Sequence, residues 1–371
     1  MLNILGFFKP NSFVNHQSAS ARENDLDGFT SSDCSSTFGR IKMQYSRRKV
    51  LMVAAVAALC VQGLATTAQA QYPEKPISII YPWSPGQPFE VVLRKLSEEM
   101  AKELGQPVVI NTVAGAGGKK SMVAAANAKP DGYTLVNNWV APQIAGKLFD
   151  PSLPYDNNDF TPISGVMAIP FTMTVSKSHP ANTMLEFIDW SKQESRTLNF
   201  GVCAPQSVPR LVGEQFMRVA GLKFNSIPNS GGCMSDNMTG LLNGSLDISV
   251  GIVPATQIME GQLKHLVLLS DSPHPLAPDL ATTKEVGLEI GWGSAVLGWG
   301  GLAAPAGTPD DVLVKLRNLV GRILQDEAFL KDLGPLRNMI DYKTPEDFQT
   351  LWTDTEVLLS PHVAVLKKDN N

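Results

Sequence analysis

Ile77, Ile79, Ile80 and Tyr81 form a short β-branched and aromatic run, the pattern of a buried strand. Pro82, Pro85, Gly86 and Pro88 interrupt it. Phe89, Val92, Leu93, Leu96, Met100 and Leu104 then recur at helical spacing, which predicts a helix over 89–104. Gly105 is placed to cap it, and Glu90 in the first turn complements the helix dipole. A strand that feeds a loop and then a helix start gathers free backbone N–H groups at one spot, which suits an anion.

The unit repeats. Residues 107–110 predict a second strand, followed by Ala114-Gly115-Ala116-Gly117-Gly118 and a helix over 119–128. A third strand is expected at 133–137, after the turn Pro130-Asp131-Gly132. Further on, strands at 198–202, 222–227 and 246–250 lead into Cys203–Ser207, Asn229–Cys233 and Val253–Thr256, each before a helix. Strand–loop–helix units in series predict α/β architecture with parallel sheets. Extended runs are expected at 163–168, 171–176, 263–269 and 294–304. Thr308 and Thr344 each precede Pro and two acidic residues, the signature of a capped helix start. Pro361 inside the last helical pattern predicts a kink or break.

Composition changes this picture little. The 371 residues are 43% hydrophobic and 18% charged, with net charge −4, enough for two domains and without the basic excess of a nucleic-acid binder. The N-terminus changes it more. Ser46-Arg47-Arg48-Lys49, the apolar run 50–64 and Ala68-Gln69-Ala70 match a signal peptide over 43–70, cleaved after Ala70. Met43 is a natural start for it, so residues 1–42 are expected to lie outside the mature protein. The Arg pair matches a twin-arginine signal only in part, and Cys60 follows Leu59 rather than a small residue, unlike a lipoprotein cysteine. Export makes a disulfide between Cys203 and Cys233 permissible, and the sequence leaves it open.

The candidate chemistry is that of binding. Residues 113–121 miss the phosphate-loop spacing, because Val113 stands where the first Gly belongs and Lys120 follows Lys119. The histidines at 179, 265, 274 and 362 have no metal-site spacing, and Cys203 lacks a nearby catalytic partner. No metal, cofactor or catalytic residue is expected. The Gly115–Gly118 loop reads equally as a tight turn or as an anion-binding nest. Trp83 and Trp139 suit a pocket wall, Phe89 a core position.

Several motifs occur in a fixed order: Tyr72-Pro73-Glu74-Lys75-Pro76-Ile77, Pro82–Gly86, Leu104-Gly105-Gln106-Pro107-Val108-Val109, Ala114–Gly118, Pro130-Asp131-Gly132-Tyr133-Thr134-Leu135 and Leu302–Pro309. The set resembles the Bug receptors, the extracytoplasmic solute-binding proteins of tripartite tricarboxylate transporters. The resemblance covers about Tyr72 to Lys368. It implies a periplasmic, non-catalytic and monomeric receptor with two α/β lobes, a ligand cleft between them and two crossings, near Phe171–Thr174 and Ser294–Gly298. The first lobe would be 71–173 with 295–371, the second 174–294. A small carboxylate, either a dicarboxylate or an aromatic acid, would be held by backbone N–H groups and small polar side chains and passed to membrane transporter subunits. A sensor for a membrane signalling partner, or an enzyme on the same scaffold, are the alternatives.

Carried onto this chain, the site would take Trp83, Pro85, Gly86, Gln87, Pro88, Phe89, Gly115, Ala116, Gly117, Gly118, Asn137, Asn138 and Trp139 from the first lobe. From the second it would take Cys203, Ala204, Ser207, Ser230, Gly231, Cys233, Pro254, Ala255 and Thr256. The family's Gly-Gly-x-x-Asp after the first strand is here Gly86-Gln87-Pro88-Phe89-Glu90. Cys203 and Cys233 replace the usual Ser or Gly, and Asn229 a common aromatic.

Overall fold

The computed structural model describes residues 72–193, 196–203, 206–228, 233–252, 261–292 and 297–369, with 233–235 and 368–369 described by backbone alone. The expected signal peptide and the residues before it lie outside this set. Among the described residues, no helix is long and apolar enough to cross a membrane.

The opening run forms β1 (Ile77–Tyr81), and its helix is α1 (Pro88–Leu104). Val92, Leu93, Leu96 and Met100 are fully buried on one face of α1. Each contributes roughly 1.5–3 kcal/mol by leaving water. Gly105 closes the helix in the left-handed conformation, at φ 67°. β2 (Val108–Thr112), α2 (Lys119–Ala126) and β3 (Thr134–Trp139) follow. After β3 a π-helical turn (Ala141–Ala145) runs into α3 (Gly146–Phe149). β4 (Phe160–Ala168) then leads directly to β5 (Phe171–Ser176).

The middle of the chain supplies α4 (Met184–Gln193), β6 (Leu198–Val202), α5 (Val208–Val219) and β7 (Phe224–Pro228). α6 (Cys233–Asn243), β8 (Ile248–Ile252) and β9 (Leu263–Leu268) complete it. The last part supplies β10 (Trp299–Pro305), α7 (Asp310–Leu324), α8 (Glu327–Asp332), β11 (Ile340–Lys343) and α9 (Pro345–Asp369).

Two sheets result. The first has the order β11-β4-β10-β3-β1-β2, the second β7-β6-β8-β5-β9. β1 runs parallel to β2 and β3, and β6 parallel to β7 and β8, as the repeating units require. The sheets are nevertheless mixed rather than parallel. β10 returns from the far end of the chain and inserts antiparallel between β3 and β4. β5 likewise runs antiparallel to β8 and β9. The fold is two α/β lobes, each built on one sheet.

The chain passes between the sheets at Ile169 and Pro170. Phe171, Thr172 and Met173, expected on the first-lobe side, pair with β8 and β9 and so belong to the second sheet. The return passes through 297–298, where Gly298 O accepts the Ile169 N–H at 3.1 Å. A Cβ at Gly298 would stand 2.1 Å from Ile169 O, so only glycine lets the two crossings touch. Residues 294–296 of the second expected crossing lie outside the described set, as does the helix expected after 253–256.

Two helix-end expectations change. Thr308 does not cap α7, because its hydroxyl donates back to Pro305 O at 2.8 Å and leaves Pro309 at the cap position. α9 does not break at Pro361 but continues to Asp369. Thr344 caps α9 as expected, accepting the Asp347 N–H at 3.1 Å.

Candidate functional site

The carboxyl ends of β1, β2 and β3 and the loops that leave them gather most of the first-lobe candidates. Open α/β sheets bind ligands at this edge. The loop after β2 has the most unusual backbone. Gly115, Ala116, Gly117 and Gly118 have φ of 124°, 49°, 64° and 85°. Among the described residues, Ala116 is the one non-glycine with positive φ. Four successive residues with positive φ lead into the N-terminus of α2. Gly118 N–H donates to Gly115 O at 3.0 Å. The N–H groups of Ala116 and Gly117 reach no acceptor among the described residues. Gly115, Ala116 and Gly117 are exposed. Gly118 is buried against Pro142 and Pro82, where a Cβ would stand 3.0 and 3.3 Å from their side chains.

The loop after β1 is held differently. Glu90 is buried, and its Oε2 accepts the Gly86 N–H at 2.6 Å while Oε1 accepts from Arg94 at 2.5 Å. The carboxylate that stands in place of the family's Asp therefore fastens its own loop, and the Gly86 N–H is not open to a ligand. Pro85 and Gly86 are exposed, Trp83, Gln87 and Phe89 are half-buried and Pro88 is buried. Burial, and then the Glu90 charge, push the Tyr81 phenol up and keep it neutral.

Asn137, Asn138 and Trp139 are interior residues. Asn137 donates to Gly301 O at 2.9 Å and accepts from Trp139 Nε1 at 2.7 Å, so both ends of its amide are engaged. Trp139 is 5% exposed and packs on Phe89 (ring centroids 4.9 Å apart) and on Trp83 (6.3 Å). Asn138 starts an amide relay. It donates to Gln143 Oε1, Gln143 donates to Asn157 Oδ1 at 3.3 Å, and Asn157 donates to the Glu356 carboxylate at 3.0 Å. A carboxylate only accepts, so the far end of the relay fixes the orientation of every amide in it. Asn138 Oδ1, Tyr81 Oη and Trp83 Nε1 are buried without a hydrogen-bond partner among the described residues. An unpaired buried polar atom costs about 1–3 kcal/mol, so this edge of the sheet holds polar capacity in reserve.

On the second sheet, Cys203 is 4% exposed and disulfide-bonded, so it has no free thiol. Its partner lies outside the described side chains. Ser207 caps α5, and its Oγ accepts the Arg210 N–H at 3.3 Å. Ala204, Ser230, Gly231, Pro254, Ala255 and Thr256 lie outside the described residues, and of Cys233 only the backbone is described.

A side-chain contact joins the two halves of this arrangement. Lys119 Nζ, at the start of α2, donates to Gln206 Oε1 at 2.6 Å, next to the cap of α5. Neither residue is among the sequence-derived candidates. Lys119 stood out there only as part of a failed phosphate-loop spacing, and a bond across 87 positions leaves no local signal. Among the described residues, no group of His, Cys, Asp or Glu is arranged to hold a metal ion.

Comparison with known proteins gives this geometry a context. BugT of Bordetella pertussis is 30% identical over 274 residues, covering 72% of this chain and 82% of its own. The solved structure of the periplasmic binding protein BugD superposes with a TM-score of 0.65 at 27% identity, covering 80% of this chain and 98% of its own. MatC from Rhodopseudomonas palustris, solved with bound malate, gives 0.65 at 27% identity, over 79% of this chain and all of its own. The family model described as tripartite tricarboxylate transporter family receptor matches residues 92–350. The chain belongs to the tripartite tricarboxylate transporter receptor family.

Proposed function

We propose that this protein is an exported receptor that captures a small carboxylate between its two lobes and delivers it to a tripartite tricarboxylate-type transporter in the membrane. The observation that carries this reading is the Gly115–Gly118 loop. Two of its exposed N–H groups reach no acceptor among the described residues, and the loop ends at a helix N-terminus, where negative charge is stabilised. Malate in the related MatC supports the ligand class. Gln206, just before the Ser207 cap of α5, lies beside this loop, since Lys119 touches it.

The lobes divide at the crossings 169–170 and 297–298. The protein acts as a monomer in the periplasm after cleavage near Ala70, and it binds without catalysing a reaction. Glu90, which follows the loop after β1, supports the last point, because its carboxylate is engaged by Gly86 and Arg94. Trp139 is buried, while Trp83 and Phe89 are half-buried, so a dicarboxylate and an aromatic acid both remain within this reading. Thermal-shift screening of the processed protein against carboxylates, amines and sugars tests the reading. A ligand of the native state raises the melting temperature. Shifts by carboxylates are expected, and shifts by amines or sugars alone would refute it.

A further inference from the structure

Lys119 and Gln206 sit on elements of different sheets, yet Nζ and Oε1 are 2.6 Å apart. Lys119 is the first residue of α2, directly after the Gly115–Gly118 loop. Gln206 directly precedes Ser207, the cap of α5. Lys119 has no carboxylate within ion-pair distance among the described residues, and its charge reaches Asp150 only at longer range. Among the described residues, the other hydrogen bonds between the lobes are of different kinds. Ile169 to Gly298 is backbone at the crossings, and Asn338 to Pro275 is long, at 3.5 Å. Among the described residues, Lys119–Gln206 is thus the short side-chain bond that ties the lobes together away from the crossings.

We propose that Lys119 and Gln206 form a latch across the cleft, and that the latch sets how long the lobes stay closed on the bound ligand. The inference rests on the receptor reading above. A charged donor on a neutral acceptor makes a short, directional bond. Neither side leaves a buried charge behind when it opens, since Gln206 is exposed and Lys119 half-buried. Such a bond can break and re-form as the lobes move. Its position directly after the Gly115–Gly118 loop means that opening it uncovers the ligand. Differential stabilisation of the closed state is what a latch contributes, and it acts on dissociation more than on association.

The test uses the processed protein with four variants: Lys119→Met, Gln206→Ala, the double variant and Gln206→Glu. Small-angle scattering without ligand reads the lobe opening, and stopped-flow release of malate reads the off-rate. The latch predicts a larger radius of gyration in both single variants and no further increase in the double. It predicts malate release roughly 3- to 10-fold faster in each, again without addition in the double. Gln206→Glu makes an ion pair and slows release. Unchanged dimensions, or single effects that simply add, overturn the latch. Loss of malate binding in Lys119→Met with Gln206→Ala unaffected also overturns it and assigns Lys119 to the ligand itself. If wild type binds neither malate nor any other carboxylate, the receptor reading fails, while scattering still decides the latch.

Discussion

Glu90 holds Gly86: the carboxylate accepts the Gly86 N–H at 2.6 Å, closing the loop between β1 and α1 on itself. The same carboxylate pairs with Arg94 one turn along the helix. With the acid 6% exposed, Glu90→Ala leaves the loop N–H without its acceptor and removes a capping charge. The variant is expected to lose about 1–3 kcal/mol of stability by urea unfolding. An unchanged midpoint would show that the loop is held by something else.

Gly117 stands at φ 64° with no atom within 4 Å of where a Cβ would be. Conformation rather than space therefore limits this position. Gly117→Val is expected to cost roughly 1–2 kcal/mol, and its branched side chain blocks approach to the neighbouring N–H groups. Binding should disappear by calorimetry while the circular dichroism spectrum stays native. Gly117→Asn, which tolerates this conformation, should keep its stability.

Gly301 in β10 is a packing glycine. A Cβ there would stand 2.4 Å from both the Phe348 ring and Ser164 O. Gly301→Ala is expected to destabilise by about 1–3 kcal/mol, because it forces α9 away from the first sheet. Chemical denaturation measures this directly.

His265 gives a pH dependence with a definite sign. Burial holds its imidazole down at about 4, from an ordinary 6.5. The folded state keeps it neutral, with Nδ1 2.7 and 2.9 Å from the Thr172 and Thr174 hydroxyls. The unfolded chain takes up the proton first as pH falls. Stability is therefore full above 6.5 and declines toward pH 4, by about 3 kcal/mol for this group. His179, His274 and His362 are lowered by burial too and add in the same direction. His265→Gln should flatten the profile between pH 6.5 and 4, measured as urea midpoint against pH.

Features encoded within a few residues were readable in advance. β1, the Gly105 cap of α1 and the Thr344 cap of α9 all follow from neighbours in sequence. Features made by distant segments were not. β10 enters the first sheet between β3 and β4 from about 130 positions further along, so the local pattern could suggest only parallel strands. The interior place of Trp139 depends on Gly300, whose missing side chain leaves room for the indole ring 2.7 Å from the position of a Cβ. Thr308 looked like a cap because its neighbours fit, but the turn at Pro305 claims its hydroxyl. At the candidate site, the Gly115–Gly118 loop is visible in the sequence as a run of small residues. The role of Glu90 and the Lys119–Gln206 contact required the fold.

The most direct test of the receptor reading is isothermal titration of the processed protein with matched pairs, each a carboxylic acid and its carboxamide, malate and its diamide first. An N–H-lined site at a helix start stabilises the anion and gains little from the neutral amide. The acids should bind, and the amides should bind at least about tenfold more weakly, a difference of roughly 1.4 kcal/mol. Equal affinity for acid and amide, or binding of the amides alone, would contradict it.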